Sequence, residues 1–312
     1  MKLFIIPQLP IKMRYQGFWW REMFENLKEY FNEVELLSEW WYETVLEASK
    51  DDFSNVRMSI KTELEHTNVF LNKLEDFKED DILLHCDLSF PGFFHNILHH
   101  YPIKNAFCYC HATSLNNLDY FKNVRKTKWL YEKATIGLYK KVFVGSEYHR
   151  KKLNQKNVIT VGVPKPPYET FKEEKIYDII SVARNNEQKI TKKLEDLVEK
   201  DFGPIIRKKC DTWEDYYKFL SQGKILLITA KEETFGYSAL EANMNNTVVL
   251  APNAFSYPEL FKEEYLYKDY EELKNKITNI LNSENYKVPK MNNIELVENF
   301  YENISKIMKG SI

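Results

Sequence analysis

Lys224-Ile225-Leu226-Leu227-Ile228-Thr229-Ala230-Lys231-Glu232-Glu233-Thr234-Phe235-Gly236-Tyr237-Ser238-Ala239-Leu240-Glu241-Ala242 contains, in one run, an apolar strand, a turn and the start of a helix. Lys224–Ile228 is short and apolar, as a buried strand is. Gly236 can take the tight turn from strand to helix. The backbone N–H groups of Tyr237 and Ser238 then stand at a helix N-terminus without intrahelical acceptors, which suits a phosphate. Glu241, in the next turns, can accept hydrogen bonds from a sugar or ribose diol, and Glu233 stands on the loop before the helix. A strand feeding a helix in this way belongs to a parallel α/β fold.

The same alternation extends in both directions. Upstream, strands are expected at Leu3–Ile6, Val34–Leu37, Asp81–Cys86, Asn105–Cys110, Lys141–Val144 and Val158–Val161, with a helix over Trp19–Phe31. Pro164-Lys165-Pro166-Pro167 cannot continue a helix or a central strand. The pattern restarts with a strand at Tyr177–Val182, a helix at Lys189–Lys200, the Lys224–Ile228 strand, a helix start at Ser238–Met244, a strand at Thr247–Leu250, and helices at Tyr270–Leu281 and Asn293–Met308. The expected organisation is an N-terminal Rossmann-like domain over 1–163, a linker over 164–175, a C-terminal Rossmann-like domain over 176–290 and a closing helix within 291–312.

Bulk properties exclude several classes. With 44% hydrophobic and 29% charged residues, the 312-residue chain is globular in composition. No apolar run approaches the roughly 18–20 residues of a membrane span, and Leu3-Phe4-Ile5-Ile6, stopped by Pro7, is too short for a signal peptide. Cys86, Cys108, Cys110 and Cys210 are too few for a disulfide scaffold and lack ligand spacing for a metal. They read as structural thiols of a protein in a reducing cytoplasm.

The run around Glu233 resembles the E-x7-E element of retaining family-4 glycosyltransferases, roughly Glu-x-Phe-Gly-x-x-x-x-Glu-Ala, matched here by Glu233, Phe235, Gly236, Glu241 and Ala242. The resemblance implies the GT-B fold: two Rossmann-like domains facing a central cleft, with the C-terminal helix packing back toward the N-terminal domain. It implies a nucleotide-sugar donor (a UDP-sugar first, a GDP-sugar second), with Glu233 near the donor sugar and Glu241 on the donor ribose. Phe235, Gly236, Tyr237 and Ser238 complete the donor site. In Ser181-Val182-Ala183-Arg184-Asn185-Asn186-Glu187-Gln188-Lys189, Arg184 and Lys189 correspond to the family's diphosphate-neutralising pair, although Ala183 and Ile190 replace its usual glycines. Fixed cations stabilise a diphosphate as it leaves. Lys141–His149 resembles the strand and turn that close the N-terminal domain, with Ser146 capping the next helix. His111, after the Asn105–Cys110 strand, falls where family members often point a His at the donor sugar. No Asp-x-Asp motif sits at a strand end, so a metal-independent enzyme is expected.

Two features bear on the acceptor. From Lys122 to Lys165 there are twelve Lys or Arg (122, 125, 126, 128, 133, 140, 141, 150, 151, 152, 156, 165) against Glu132 and Glu147, in a chain of net charge −2. Such asymmetry suits a polyanion. Ala251–Phe261, with its Tyr257-Pro258-Glu259, resembles transferases that mannosylate queuosine in tRNA. Viral enzymes that glycosylate hydroxymethylated pyrimidines share the GT-B architecture. The leading expectation is therefore a modified base in DNA or RNA, bound through the basic 122–165 region, with Trp19 and Trp20 able to stack on a flipped base. The composition suits a viral or low-GC bacterial source. The first turn, Pro7-Gln8-Leu9-Pro10, replaces the family's Gly-Gly and suggests an unusual acceptor. A transferase building bacterial surface polysaccharide or glycolipid is the competing enzyme. A silent GT-B module that only binds is the other class, disfavoured because Arg184, Lys189, Glu233 and Glu241 are all present.

Overall fold

The computed structural model describes residues 1–38, 52–89, 94–118, 125–184, 186–283 and 286–310. Lys122 and Asn185 lie outside them. The chain divides into two compact units, one of Met1–Lys165 with Glu295–Ile312, the other of Pro166–Ile294.

In the first unit the elements run β1 (Leu3–Ile6), α1 (Gln16–Leu27), β2 (Val34–Leu36), α2 (Asp52–Lys73), β3 (Ile82–His85), α3 (His95–His100), β4 (Ala106–Tyr109), α4 (Arg125–Ile136), β5 (Lys141–Val144), α5 (Glu147–Leu153) and β6 (Val158–Thr160). The six strands form one parallel sheet in the order β2-β1-β3-β4-β5-β6. β1, β3 and β4 are buried along their whole length, as strands covered on both faces must be. Phe4, Ile6, Leu83, Ala106, Cys108, Val142 and Val144 share one core with Phe70 and Phe94. Cys108 and Cys110 are therefore core thiols, and all four cysteines are free.

In the first unit two helical expectations change. α1 begins at Gln16 and ends at Leu27, before Phe31. The helix expected over Asn293–Met308 is two helices, α11 (Glu295–Glu298) and α12 (Phe300–Met308), numbered after those of the second unit and separated at Asn299. Phe300 is fully buried, with ring centroids 5.9 Å from Trp19 and 6.2 Å from Tyr109. A side chain at Gly162 would strike Leu296. The C-terminal helix thus packs onto the N-terminal unit, as expected.

The second unit runs β7 (Tyr177–Ile180), α6 (Lys192–Phe202), α7 (Trp213–Gln222), β8 (Gly223–Leu227), α8 (Tyr237–Met244), β9 (Val248–Pro252), α9 (Tyr257–Leu260), β10 (Leu266–Tyr267) and α10 (Tyr270–Leu281). Its parallel sheet has the order β10-β9-β8-β7. Ile206 adds a parallel bridge on the outer side of β7, through Ser181 N–H to Ile206 O and Ile206 N–H to Ile179 O, both 3.0 Å. Lys175 anchors the entry to this unit, its ammonium donating to the carbonyls of Ser221 (2.7 Å), Gly223 (2.8 Å) and Asn246 (2.6 Å).

In the first unit a buried carboxylate, Glu132 of α4, fixes the loops at the sheet's carboxyl edge. It accepts from the Ser89 hydroxyl after β3, and from the Ser114 N–H (3.0 Å) and hydroxyl (2.5 Å) after β4. Burial raises its pKa, while the two serines and Lys128 pull it back down. Hydrogen bonds to charged groups are worth about 1.5–3 kcal/mol each. Glu132→Leu, which keeps volume but orphans three donors, should cost about 3–5 kcal/mol in urea unfolding. A loss under about 1 kcal/mol would show that the loops do not depend on it.

Candidate functional site

In an open parallel sheet, ligands bind outside the carboxyl ends of strands, where the strand order reverses. In the second unit that reversal is at β7, because the chain leaves it to bridge at Ile206 on one side and returns to form β8 on the other. The loops leaving β7 and β8 carry the Arg184–Lys189 run and the Glu233–Glu241 run.

The two loops are bonded to each other. Lys231 N–H donates to Gln188 O at 2.9 Å, Thr191 N–H to Thr229 Oγ1 at 3.2 Å, and Thr191 Oγ1 to Thr229 O at 2.7 Å. Thr229 in turn donates to Glu195, which is held by Arg207 at 2.7 Å. Lys189 Nζ meets Glu233 Oε2 at 2.7 Å. Burial penalises the Glu233 charge, yet Lys189 and the N–H groups of Thr234 and Phe235 hold its carboxyl below the ordinary range. Arg184 stands exposed on the same loop.

Gly236 is left-handed at φ +103°, and a Cβ there would approach Tyr257 Cε1 to 3.0 Å. Only glycine combines that dihedral with that proximity at little cost. α8 starts at Tyr237, with Ser238 in its first turn. Phe235 is buried, and its carbonyl accepts from Ser256 Oγ at 2.7 Å, which pins the turn to α9.

Glu241 has a different environment. It is buried on α8, and its carboxylate accepts from the hydroxyls of Tyr216 (3.0 Å) and Tyr217 (3.4 Å) on α7. Burial raises its pKa to about 8, against the lowering effect of the two tyrosines. Sequence reading missed these partners; the signal was the aromatic-rich Trp213-Glu214-Asp215-Tyr216-Tyr217 at the helix start. The structure therefore brings Lys189 and Glu233 together and holds Glu241 through a separate network.

His111 lies in the first unit. Its Nε2 meets Cys86 O at 3.0 Å, and its ring packs against Tyr15, Trp19 and Tyr109 at 4.4–4.7 Å. Burial lowers its pKa to about 3, keeping it neutral. Trp19 is fully buried and Trp20 is 3% exposed. Neither presents a face on which a base could stack, so the expectation of aromatic stacking there is corrected: α1 spends both rings on the core. The basic stretch is also more dispersed than its sequence suggests. Arg150, Lys151 and Lys152 occupy the last turn of α5, where cations complement the helix dipole. Arg150 pairs with Glu147, and Lys152 donates to Asn116 Oδ1 at 2.5 Å. Burial lowers the Lys128 pKa against the pull of Glu132, Glu63 and Asp87. Ser146 caps α5 as expected, accepting from His149 N–H. Among the described residues no His, Cys, Asp and Glu cluster could hold a metal, and no helix is long and apolar enough to cross a membrane.

Residues 205–306 match the family described as Glycosyl transferases group 1. The tRNA-queuosine alpha-mannosyltransferase of Drosophila melanogaster is 32% identical over 106 residues, covering 32% of this chain. The chain spans about a quarter of that relative's length, 26%. Two solved structures align along the whole chain. The apo lipopolysaccharide outer core galactosyltransferase WaaB does so with a TM-score of 0.64, 12% identity and all of its own chain covered. The sucrose-phosphate synthase of Thermosynechococcus elongatus follows with a TM-score of 0.63, 12% identity and 94% of its chain covered. At such identity the likeness establishes the fold, and it is the GT-B fold expected from the sequence.

The Glu241 network makes a pH prediction. Its folded pKa lies above the roughly 4.3 of an unfolded Glu, so the folded state holds the proton more tightly. Its stabilising effect is complete below the unfolded pKa and is lost as pH rises toward about 8. Glu241→Gln, which keeps one acceptor oxygen for the tyrosines and carries no titrating proton, should gain roughly 2–4 kcal/mol relative to wild type between pH 5 and pH 8 in urea unfolding. A pH-independent difference would contradict the buried, protonated carboxyl.

Proposed function

We propose that this protein is a retaining, metal-independent glycosyltransferase that moves a sugar from a nucleotide-sugar donor to a hydroxyl acceptor. The observation that carries the reading is the Lys189–Glu233 pair at the β7 switch point, beside the Gly236 turn into α8. Glu233 and that turn fall within the segment matched to the glycosyltransferase family.

The donor diphosphate docks on Arg184, Lys189 and the N-terminus of α8 at Tyr237 and Ser238. An ammonium has three donors, so Lys189 can serve Glu233 and a phosphate oxygen together. Glu241 binds the ribose, since a carboxyl that meets two tyrosine hydroxyls still has oxygen lone pairs to offer. The acceptor oxygen attacks the anomeric carbon from the face the diphosphate leaves. The carbon–phosphate-oxygen bond breaks, and the acceptor proton passes to the departing phosphate oxygen. Fixed cations stabilise the charge that develops there.

A UDP-sugar is the first donor to try and a GDP-sugar the second. The acceptor we favour is a hydroxyl on a modified nucleobase, supported by the similarity to a tRNA-queuosine mannosyltransferase and by the basic 122–165 stretch. A saccharide or glycolipid acceptor is the second reading, favoured by the dispersal of those basic side chains.

The protein would be incubated with UDP-glucose or GDP-mannose and with hydroxymethylated duplex DNA, tRNA or no acceptor. Released nucleoside diphosphate and nucleoside mass would be followed. We expect release that depends on a nucleic acid, with a hexose added to one nucleoside. Release indifferent to nucleic acid would move the acceptor to the second reading. Arg184→Ala or Lys189→Ala should each lower kcat/KM by roughly 10²–10³-fold. Near-normal turnover in the double variant would overturn the assignment.

A further inference from the structure

The turn that carries Glu233 rests on a tyrosine whose hydroxyl the fold does not use. Tyr257 opens α9 and is fully buried. Its hydroxyl oxygen is buried too, with no hydrogen-bond partner among the described residues. Other buried tyrosines are paired: Tyr109 donates to Gly162 O (2.6 Å), Tyr267 to Ile228 O (2.7 Å) and Tyr217 to Glu241 (3.4 Å). A buried hydroxyl is costly when unmet. Phenylalanine would fill the same space and leave nothing unmet. Packing alone therefore gives no reason for the oxygen.

Its surroundings give one. A Cβ at Gly236 would lie 3.0 Å from Tyr257 Cε1 and 3.7 Å from Glu233 Cγ, so the tyrosine ring and the Glu233 side chain border the same point of the turn. Ser256, next to Tyr257, donates to Phe235 O, and Phe255 takes a left-handed φ of +60°, uncommon for a bulky residue. These two features hold the ring beneath the turn. Burial raises the Tyr257 pKa and the Glu233 charge raises it further, so the phenol stays protonated and remains a hydrogen-bond donor. The ring is enclosed and cannot travel. The carboxylate stands on a loop, with 16% of its side chain exposed.

Glu233 has room for a further partner. Its Oε1 accepts from the Thr234 N–H at 3.0 Å, and its Oε2 meets Lys189 at 2.7 Å. A carboxylate offers about four lone-pair sites. The Lys189 side chain is 20% exposed, so a ligand can reach it, and a diphosphate competes with a carboxylate for an ammonium. Once Lys189 turns away, Glu233 is a charge in a largely buried place, which is unfavourable unless another donor meets it. Among the described residues of the second unit, the buried side-chain donor without a partner is the Tyr257 hydroxyl.

We propose that Tyr257 is a positioning residue for Glu233: its hydroxyl takes the carboxylate when Lys189 leaves it for the donor diphosphate. The proposal rests on the donor reading above for what draws Lys189 away. The exchange keeps Glu233 charged and in place while the diphosphate is bound, and it brings no new charge into the site. The full chain is compared as wild type, Tyr257→Phe, Lys189→Ala and the double variant by thermal unfolding at pH 8 without ligand. In the wild-type background Tyr257→Phe should leave Tm unchanged or raise it, since it removes an unmet oxygen. In the Lys189→Ala background it should lower Tm by roughly 3–8 °C, because the hydroxyl then holds Glu233. The same shift in both backgrounds, or none in either, would overturn the proposal. Lys189→Met serves for the same comparison should Lys189→Ala fail to fold. Calorimetric titration with UDP adds the ligand arm. Tyr257→Phe should bind UDP about three- to tenfold more weakly than wild type without any loss of Tm, which a merely structural hydroxyl would not do. Equal UDP affinity would overturn the exchange. UDP binding to neither protein would contradict the donor reading, and the ligand-free comparison would still decide the role of Tyr257.

Discussion

The structure depends on a constraint of parallel sheets. Parallel strands need crossovers, and a sheet extended in both directions must reverse its order once, leaving a gap at the carboxyl ends that the crossovers cannot fill. Each unit has one such gap, between β1 and β3 in the first and between β7 and β8 in the second. Each gap collects the unit's exceptional chemistry. The second holds a half-buried ion pair and a left-handed glycine. The first holds Gln8, whose buried amide has no hydrogen-bond partner among the described residues, beside polar side chains of α2.

Supporting polar groups are satisfied where they do structural work. Glu132 meets three donors, Lys175 meets three carbonyls, and Thr191 and Thr229 fasten the β7 and β8 loops together. Among the described residues, Gln16, Ser38, Tyr257 and Tyr301 each have one buried polar atom without a hydrogen-bond partner, whereas Gln8, at the carboxyl edge of the first sheet, has two.

Much of this was legible in the sequence, because fully buried parallel strands read as short apolar runs. β5 and α10 have the expected bounds, and the Gly236 turn lies where its spacing implied. α2 was not read as a helix. Its buried stripe is Ser59, Thr62, Glu63 and His66, so a search for apolar periodicity passes over it. Trp19 and Trp20 were read as a stacking surface because sequence alone does not tell a core-facing aromatic from an exposed one. The break at Asn299 is hidden because the amphipathic pattern continues through it. At the loops leaving β7 and β8, the residue types were legible but their pairing was not: Lys189 reaches Glu233 through loop bonds, and Glu241 is bound to tyrosines from a helix that precedes it by some twenty residues.

The central claim is that the donor nucleotide is held by the two loops leaving β7 and β8. Hydrogen–deuterium exchange of the full chain with and without UDP tests it directly. The account predicts slowed exchange concentrated in residues 181–190 and 229–242. Binding of UDP with protection lying elsewhere, or no protection at saturating UDP and GDP, would contradict it.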